Sequence, residues 1–206
     1  MTAVTDGLAS PHAATRDDED SISYYRTMQV AVQELLIAKG VFSAADVTAT
    51  VAAMDARTTA RGAAVVARAW LDAAFKHRLL TDAPTACAEL GLEMGPLKLI
   101  VIEDTPDTHN VVVCTLCSCY PRMLLGIPPD WYKSREYRSR CVREPRAVLR
   151  EFGTDLPDTV RLRVHDSTAD MRYMVLPLRP TNTAHLSQTE LAKLVTRDSL
   201  IGVTLL

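Results

Sequence analysis

Two periodicities divide the chain. From Ser21 to about Leu80, apolar side chains recur at helical spacing and no proline interrupts them. In "YYRTMQVAVQELLIAKG" Met28, Val32, Leu35 and Leu36 share one face, and Gly40 is placed to end the helix. Ser43 can cap a second helix, "AADVTATVAAMDAR". A third, "ARGAAVVARAWLDAAFKHRLL", reads as one continuous helix through Val65, Val66, Ala69, Trp70, Ala73 and Ala74. Such a run either folds back on itself or extends as an arm over a partner, and the pattern alone does not choose between them.

Beyond Leu80 the texture changes. Pro84, Gly91, Gly95 and Pro96 punctuate a short helix and a turn. "LKLIVIED" (97–104) and "NVVVC" (110–114) then read as buried strands, and "TVRLRVHD" (159–166) and "RYMVLPLRP" (172–180) as two more. Between the pairs, "SREYRSRCVREPRAVLREFG" (134–153) is a basic helical pair broken at Pro145. Ser187 and Glu190 form a capping box for "SQTELAKLV", and "SLIGVTLL" reads as a final strand. The fold class expected is α+β: a tail over 1–20, a helical N-terminal arm over 21–82, and a layered core over 83–206.

Composition narrows the function classes. The 206 residues are 48% apolar and 23% charged, ordinary for a globular chain. A net charge of -2 gives no reason to expect nucleic acid or an anionic membrane as a partner. The first twenty residues are polar, with acids from Asp17 to Asp20, and carry no signal-like apolar run. They read as a flexible tail, and the expected location is the cytoplasm. Five cysteines, an odd number, do not suggest a disulfide framework.

Three of those five lie together in "VVVCTLCSCYPR": Cys114, Cys117 and Cys119. Structural zinc wants four ligands, so His109, His165 or a partner would have to supply one. Iron–sulfur clusters also take four thiolates, and only the remote Cys87 and Cys141 are left. A redox pair of Cys114 and Cys117 leaves Cys119 surplus. The tight "CSC" admits another solution, in which the sulfurs of Cys117 and Cys119 enclose the main-chain nitrogens of Ser118 and Cys119 in fused five- and six-membered chelates. Cys114 then takes an axial place and a sixth position stays open, as catalytic metal sites require. Deprotonated amides are strong-field donors, so this claw favours trivalent cobalt or iron over zinc. Its five anionic donors leave the loaded site negative, and arginines nearby would balance it.

"VCTLCSCYP" followed by "GIPPDWYKSREYRSRCVREPRAVL" closely resembles the α-subunit of nitrile hydratases and the homologous metal-bearing subunit of thiocyanate hydrolase. The resemblance is strong from about Glu103 to Gly202 and weaker over the helical N-terminal part. It implies that Cys114, Cys117, Ser118 and Cys119 hold a low-spin metal(III), with Cys117 oxidised to sulfinic acid and Cys119 to sulfenic acid. Thr115 matches the cobalt-type motif, so Co(III) is expected rather than Fe(III). The resemblance also implies hydration of a nitrile to its amide by Lewis-acid catalysis, with Cys117 and Cys119 as catalytic groups. A β-type subunit would supply arginines to the claw, and an activator protein would insert cobalt.

The chain departs from the family pattern twice. Many nitrile hydratases carry Trp three residues after the last claw cysteine, where this chain has Arg122. A cation there suits a polar or anionic substrate, and this position resembles thiocyanate hydrolase, which releases carbonyl sulfide and ammonia. Many relatives also have Gln in the turn before the claw strand, near Gly95 here. Arg172 and Arg179 are candidates for claw or partner contacts, and Arg138, Arg140, Arg143 and Arg146 form a basic helical face. His109 is expected to be a hydrogen-bonded structural residue, and Cys87 and Cys141 packing thiols. A non-catalytic metal module for storage, delivery or sensing is the reading from another class.

Overall fold

A computed structural model describes residues 16–117 and 119–206, with side chains from Ser23 onward. Ser118 and residues 1–15 of the expected tail lie outside the described residues. Helix α1 (Arg16–Ala38) begins inside that expected tail and is followed by α2 (Ala44–Asp55). Ser43 caps α2 in a reciprocal capping box with Asp46. Neither helix buries a described side chain, and Tyr24, Tyr25, Val32, Leu35 and Val51 stand exposed along them. These two helices have the character of an arm.

The third expected helix behaves differently. It splits into α3 (Ala60–Leu71) and α4 (Ala73–Thr81), because the Asp72 side chain accepts from the Phe75 amide at 2.9 Å and starts a new helix. Val65 and Val66 of α3 and Phe75 and Leu79 of α4 are buried in the core. Each such side chain contributes about 1.5–3 kcal/mol of burial, which a free arm would forgo. The Trp70 indole N–H donates to the Pro177 carbonyl at 2.9 Å and fastens α3 to the far end of the core. The short helix α5 (Ala83–Ala88) follows, opened by the Asp82 side chain.

The four expected strands are present as β1 (Lys98–Glu103), β2 (Thr108–Val113), β3 (Arg161–Asp166) and β4 (Met171–Leu176). They form two parallel pairs. β1 runs with β4, Lys98 opposite Met171, and β2 with β3, Thr108 opposite Arg161 and Val113 opposite Asp166. Parallel pairing demands a long crossover. Four helices supply it: α6 (Arg122–Leu125), α7 (Asp130–Lys133), α8 (Arg135–Arg143) and α9 (Pro145–Glu151). Val111, Val112 and Val113 are fully buried, so β2 is the axis of the core.

The chain closes with α10 (Gln188–Leu194) and α11 (Arg197–Ile201). The second of these corrects the expected final strand. Thr196 and Ser199 form a capping box that starts a helix, overriding the apolar run. Gly202 ends it at φ 83°, where a Cβ would come within 1.9 Å of the Asn110 carbonyl oxygen. The architecture is the expected α+β one, with the cysteine loop directly after a buried strand.

Candidate metal centre

β2 delivers Cys114 to the end of the core, fully buried. The next residue is pinned from the neighbouring strand. The Thr115 amide donates to Asp166 Oδ1 at 2.9 Å and the Thr115 hydroxyl donates to Asp166 Oδ2 at 2.5 Å. Asp166 can do this because the parallel register sets it opposite Val113, the last residue of β2. The chain then curls back, and the Cys117 amide points at Cys114 Sγ, 3.4 Å away.

A buried aromatic block holds the floor. The Tyr132 hydroxyl donates to the Cys119 carbonyl at 2.9 Å, and the Tyr137 hydroxyl donates to the Val112 carbonyl at 2.7 Å. Trp131 meets Tyr137 and Phe152 edge-on, with ring centroids 4.9 and 4.8 Å apart. Main-chain groups on both sides of the loop are therefore fixed by side chains that cannot move without opening the core. The sequence pattern placed none of Asp166, Tyr132 and Tyr137 at the site. The only signal was "DWYKSREY" itself, aromatics at short spacing soon after the cysteines.

The result is a compact sulfur cluster. Cys117 Sγ lies 3.0 Å from Cys119 Sγ and 3.5 Å from Cys114 Sγ, and all three fall within 4.8 Å of one another. Burial pushes the Cys119 thiol up to about 12, the Cys117 and Cys114 sulfurs push the same way, and Arg172 opposes them. A multivalent metal acts against this upward push by stabilising thiolates. The donor set fits a thiophilic transition ion. It supplies three ligands, one short of a tetrahedral zinc or iron–sulfur site. Among the described residues no histidine or carboxylate joins the cluster. The proposed backbone donor at Ser118 lies outside the described residues.

Cys117 and Cys119 face a cavity of about 310 Å³. Met94, Leu97, Leu99 and Met123 give it apolar walls, and Arg57, Lys98, Arg122 and Arg172 also line it. Cys114 sits beneath, away from the cavity. Arg122, the first residue of α6, is exposed at the mouth. Gly95 lies in the turn before β1, where its neighbour Met94 reaches the cavity wall.

The remaining sequence candidates are placed elsewhere. His109 is buried between Asp104 Oδ2, at 3.0 Å from Nδ1, and the Gly202 carbonyl, at 2.7 Å from Nε2. His165 Nε2 contacts Asn110 Oδ1 at 2.9 Å. Arg179 donates to Thr183 at 3.0 and 2.7 Å and reaches the Trp70 carbonyl at 3.4 Å, so it ties a loop rather than touching the claw. Arg140 is the hub of a surface network with Glu136, Glu144 and Glu151. Arg146 donates to the carbonyls of Leu156 and Val160, while Arg143 stays on its own helix at Ser139. Cys87 and Cys141 are buried, and burial pushes both thiols up to about 12.

Comparison with known proteins agrees with this site. The model of the family "Nitrile hydratase, alpha chain" matches residues 23–204. The low-molecular weight cobalt-containing nitrile hydratase α-subunit of Rhodococcus rhodochrous is 56% identical over 144 residues, covering 69% of this chain and 70% of that protein. The thiocyanate hydrolase γ-subunit of Thiobacillus thioparus is 42% identical over 196 residues, covering 89% of this chain and 81% of that one. A solved double mutant of the iron-type nitrile hydratase from Comamonas testosteroni Ni1 superposes with a TM-score of 0.84 at 42% identity, covering 89% of this chain and 90% of that chain. A fold, a sulfur cluster and relatives at these identities converge on one assignment: the chain belongs to the nitrile hydratase α-chain family.

Proposed function

We propose that the chain is the metal-bearing α-subunit of a cobalt-type nitrile hydratase, hydrating a nitrile to the corresponding amide in concert with a β-type partner. The observation that carries this reading is the sulfur cluster at the wall of a cavity with apolar sides. Cys114, Cys117 and Cys119 would hold Co(III) through their sulfurs, with the main-chain nitrogens of Ser118 and Cys119 completing the claw. A metal bound there would supply Lewis acidity toward a cyano group.

The chain's own residues do the rest. Cys114, fully buried, is shielded from oxidation. Cys117 is exposed and shares the cavity wall with Cys119, so these two are the sulfurs an oxidant reaches, giving sulfinic acid at Cys117 and sulfenic acid at Cys119. An oxygen on Cys119 would stand at the cavity wall as nucleophile or base. The apolar walls exclude water and hold the substrate's carbon chain, and Arg172 offsets negative charge at the claw. Partner arginines hydrogen-bond the oxidised sulfurs, so the isolated chain is inactive.

A second reading, the metal-bearing subunit of a thiocyanate hydrolase, is favoured by one observation: Arg122 stands at the cavity mouth. The two are separated by producing the chain with its β-type partner and cobalt. Acetonitrile, a heteroaromatic nitrile and thiocyanate are then compared side by side. Amide from the nitriles is the expected product. Ammonia and carbonyl sulfide from thiocyanate, without amide, would replace the first reading by the second.

A further inference from the structure

Four basic side chains, Arg57, Lys98, Arg122 and Arg172, line the cavity beside the claw, and no carboxylate lines it. The chain as a whole carries a net charge of -2, so this lining departs in sign from the molecule that contains it. Arg68, Arg78, Arg140 and Arg150 all have carboxylate partners. Arg57, Lys98 and Arg122 have no ion pair or side-chain hydrogen bond among the described residues. Arg172 is anchored through Nη1 to the carbonyls of Ala169 and Met171, at 3.0 and 3.2 Å, which hold its position without pairing it to a carboxylate.

The placement of Arg57 is built into the backbone. Gly126, the residue that ends α6, adopts φ 72°, and a Cβ there would lie 2.2 Å from the Arg57 carbonyl oxygen. Only glycine permits this approach. It brings the segment after α2 against the end of the helix that carries Arg122, and both arginines line the one cavity.

The claw by itself does not require all of these charges. On the ligand set proposed above, five anionic donors around a trivalent ion leave two net negative charges. Four cations exceed that by two, before any partner arginine is added. Cations without carboxylate partners along a partly apolar cavity raise the local concentration of small anions.

We infer that this cavity selects a short cyano compound bearing a negative charge, and that Arg57 is a specificity-determining residue that recognises that charge. The inference rests on the proposed function and names its substrate class. A carboxylated nitrile such as cyanoacetate meets the requirement. Water adds across its C≡N bond, oxygen to carbon and both protons to nitrogen, and the carboxylate is unchanged.

The test compares cyanoacetate with the neutral propionitrile, of similar length, on the cobalt-loaded complex with its β-type partner. The expected kcat/KM ratio favours cyanoacetate by at least about tenfold at low salt and falls as salt is raised. Arg57→Met should lower that ratio about fivefold, mainly through KM for cyanoacetate, whereas Arg57→Lys should retain most of it. A wild-type ratio near one, or a ratio unchanged in Arg57→Met, overturns the inference. If the complex turns over no cyano compound at all, the proposed function fails instead. Equilibrium dialysis of thiocyanate then decides the inference alone: weaker binding to Arg57→Met than to wild type supports it, and equal binding refutes it. Arg57→Gln serves if the methionine variant does not assemble.

Discussion

Asp166 is tied to Thr115 twice, at 2.9 and 2.5 Å, and through it sets where the cysteine loop leaves β2. Carboxylates that orient a metal loop matter nearly as much as the ligands themselves. Asp166→Ala removes both acceptors and should lower cobalt content and kcat together, by about 10- to 100-fold. Asp166→Asn keeps one acceptor for the amide and should lose less. Full cobalt loading and unchanged kcat in the alanine variant would show that the loop is held by other means. The same contact explains why Thr115 alone is a weak indicator of metal choice, since a serine hydroxyl at this position could make the same bond. Sequence displayed the three cysteines plainly, because their spacing is local. Asp166, 51 residues further on, was invisible, because its role comes from strand register and not from any nearby pattern.

Elements were legible where pattern and capping chemistry agreed, and misread where they conflicted. All four strands and the break at Pro145 follow directly from apolar runs and turn residues. The single helix expected over 60–80 is two, since one Asp72 side chain captures the Phe75 amide. The expected last strand is a helix, since Thr196 and Ser199 satisfy its first turn. The parallel pairing of β1 with β4 and β2 with β3 is a property of the crossover helices and has no local signature. Between these strands, Asp104 accepts from the Asn110 amide at 2.8 Å through Oδ1 and faces His109 through Oδ2. Burial disfavours a charge on His109, but Asp104 and the Gly202 carbonyl outweigh it and hold its pKa above the ordinary 6.5. A raised value means a contribution fully present below pH 6.5 and lost as pH rises through the folded-state pKa. His109→Gln should therefore cost the most stability in mild acid, and the Tm gap to wild type should shrink above neutral pH. His165, whose pKa burial and Arg163 lower, is present in both proteins and cancels in the comparison. A gap that widens with pH would contradict the assignment of His109 and Asp104 as a charge-stabilised pair.

At the scale of the whole molecule, the chain has a finished core and an unfinished exterior. The core residues begin at Ala63, whereas α1 and α2 expose aromatic and branched side chains over their whole described length. Exposed apolar surface of this extent marks an interaction site, and the claw cavity opens beside the segment that leaves this arm. Both features agree with a subunit whose site is completed by a partner. Among the described residues no helix is long and apolar enough to cross a membrane. Metal, oxidised sulfur and partner are the three parts of the account that act together, and one measurement reads them at once. The complex is purified from cells supplied with cobalt and digested with trypsin, and the mass of the peptide containing Cys114, Cys117 and Cys119 is determined. The account predicts three added oxygens, two on Cys117 and one on Cys119. Three unmodified thiols in a complex that hydrates nitriles would contradict it.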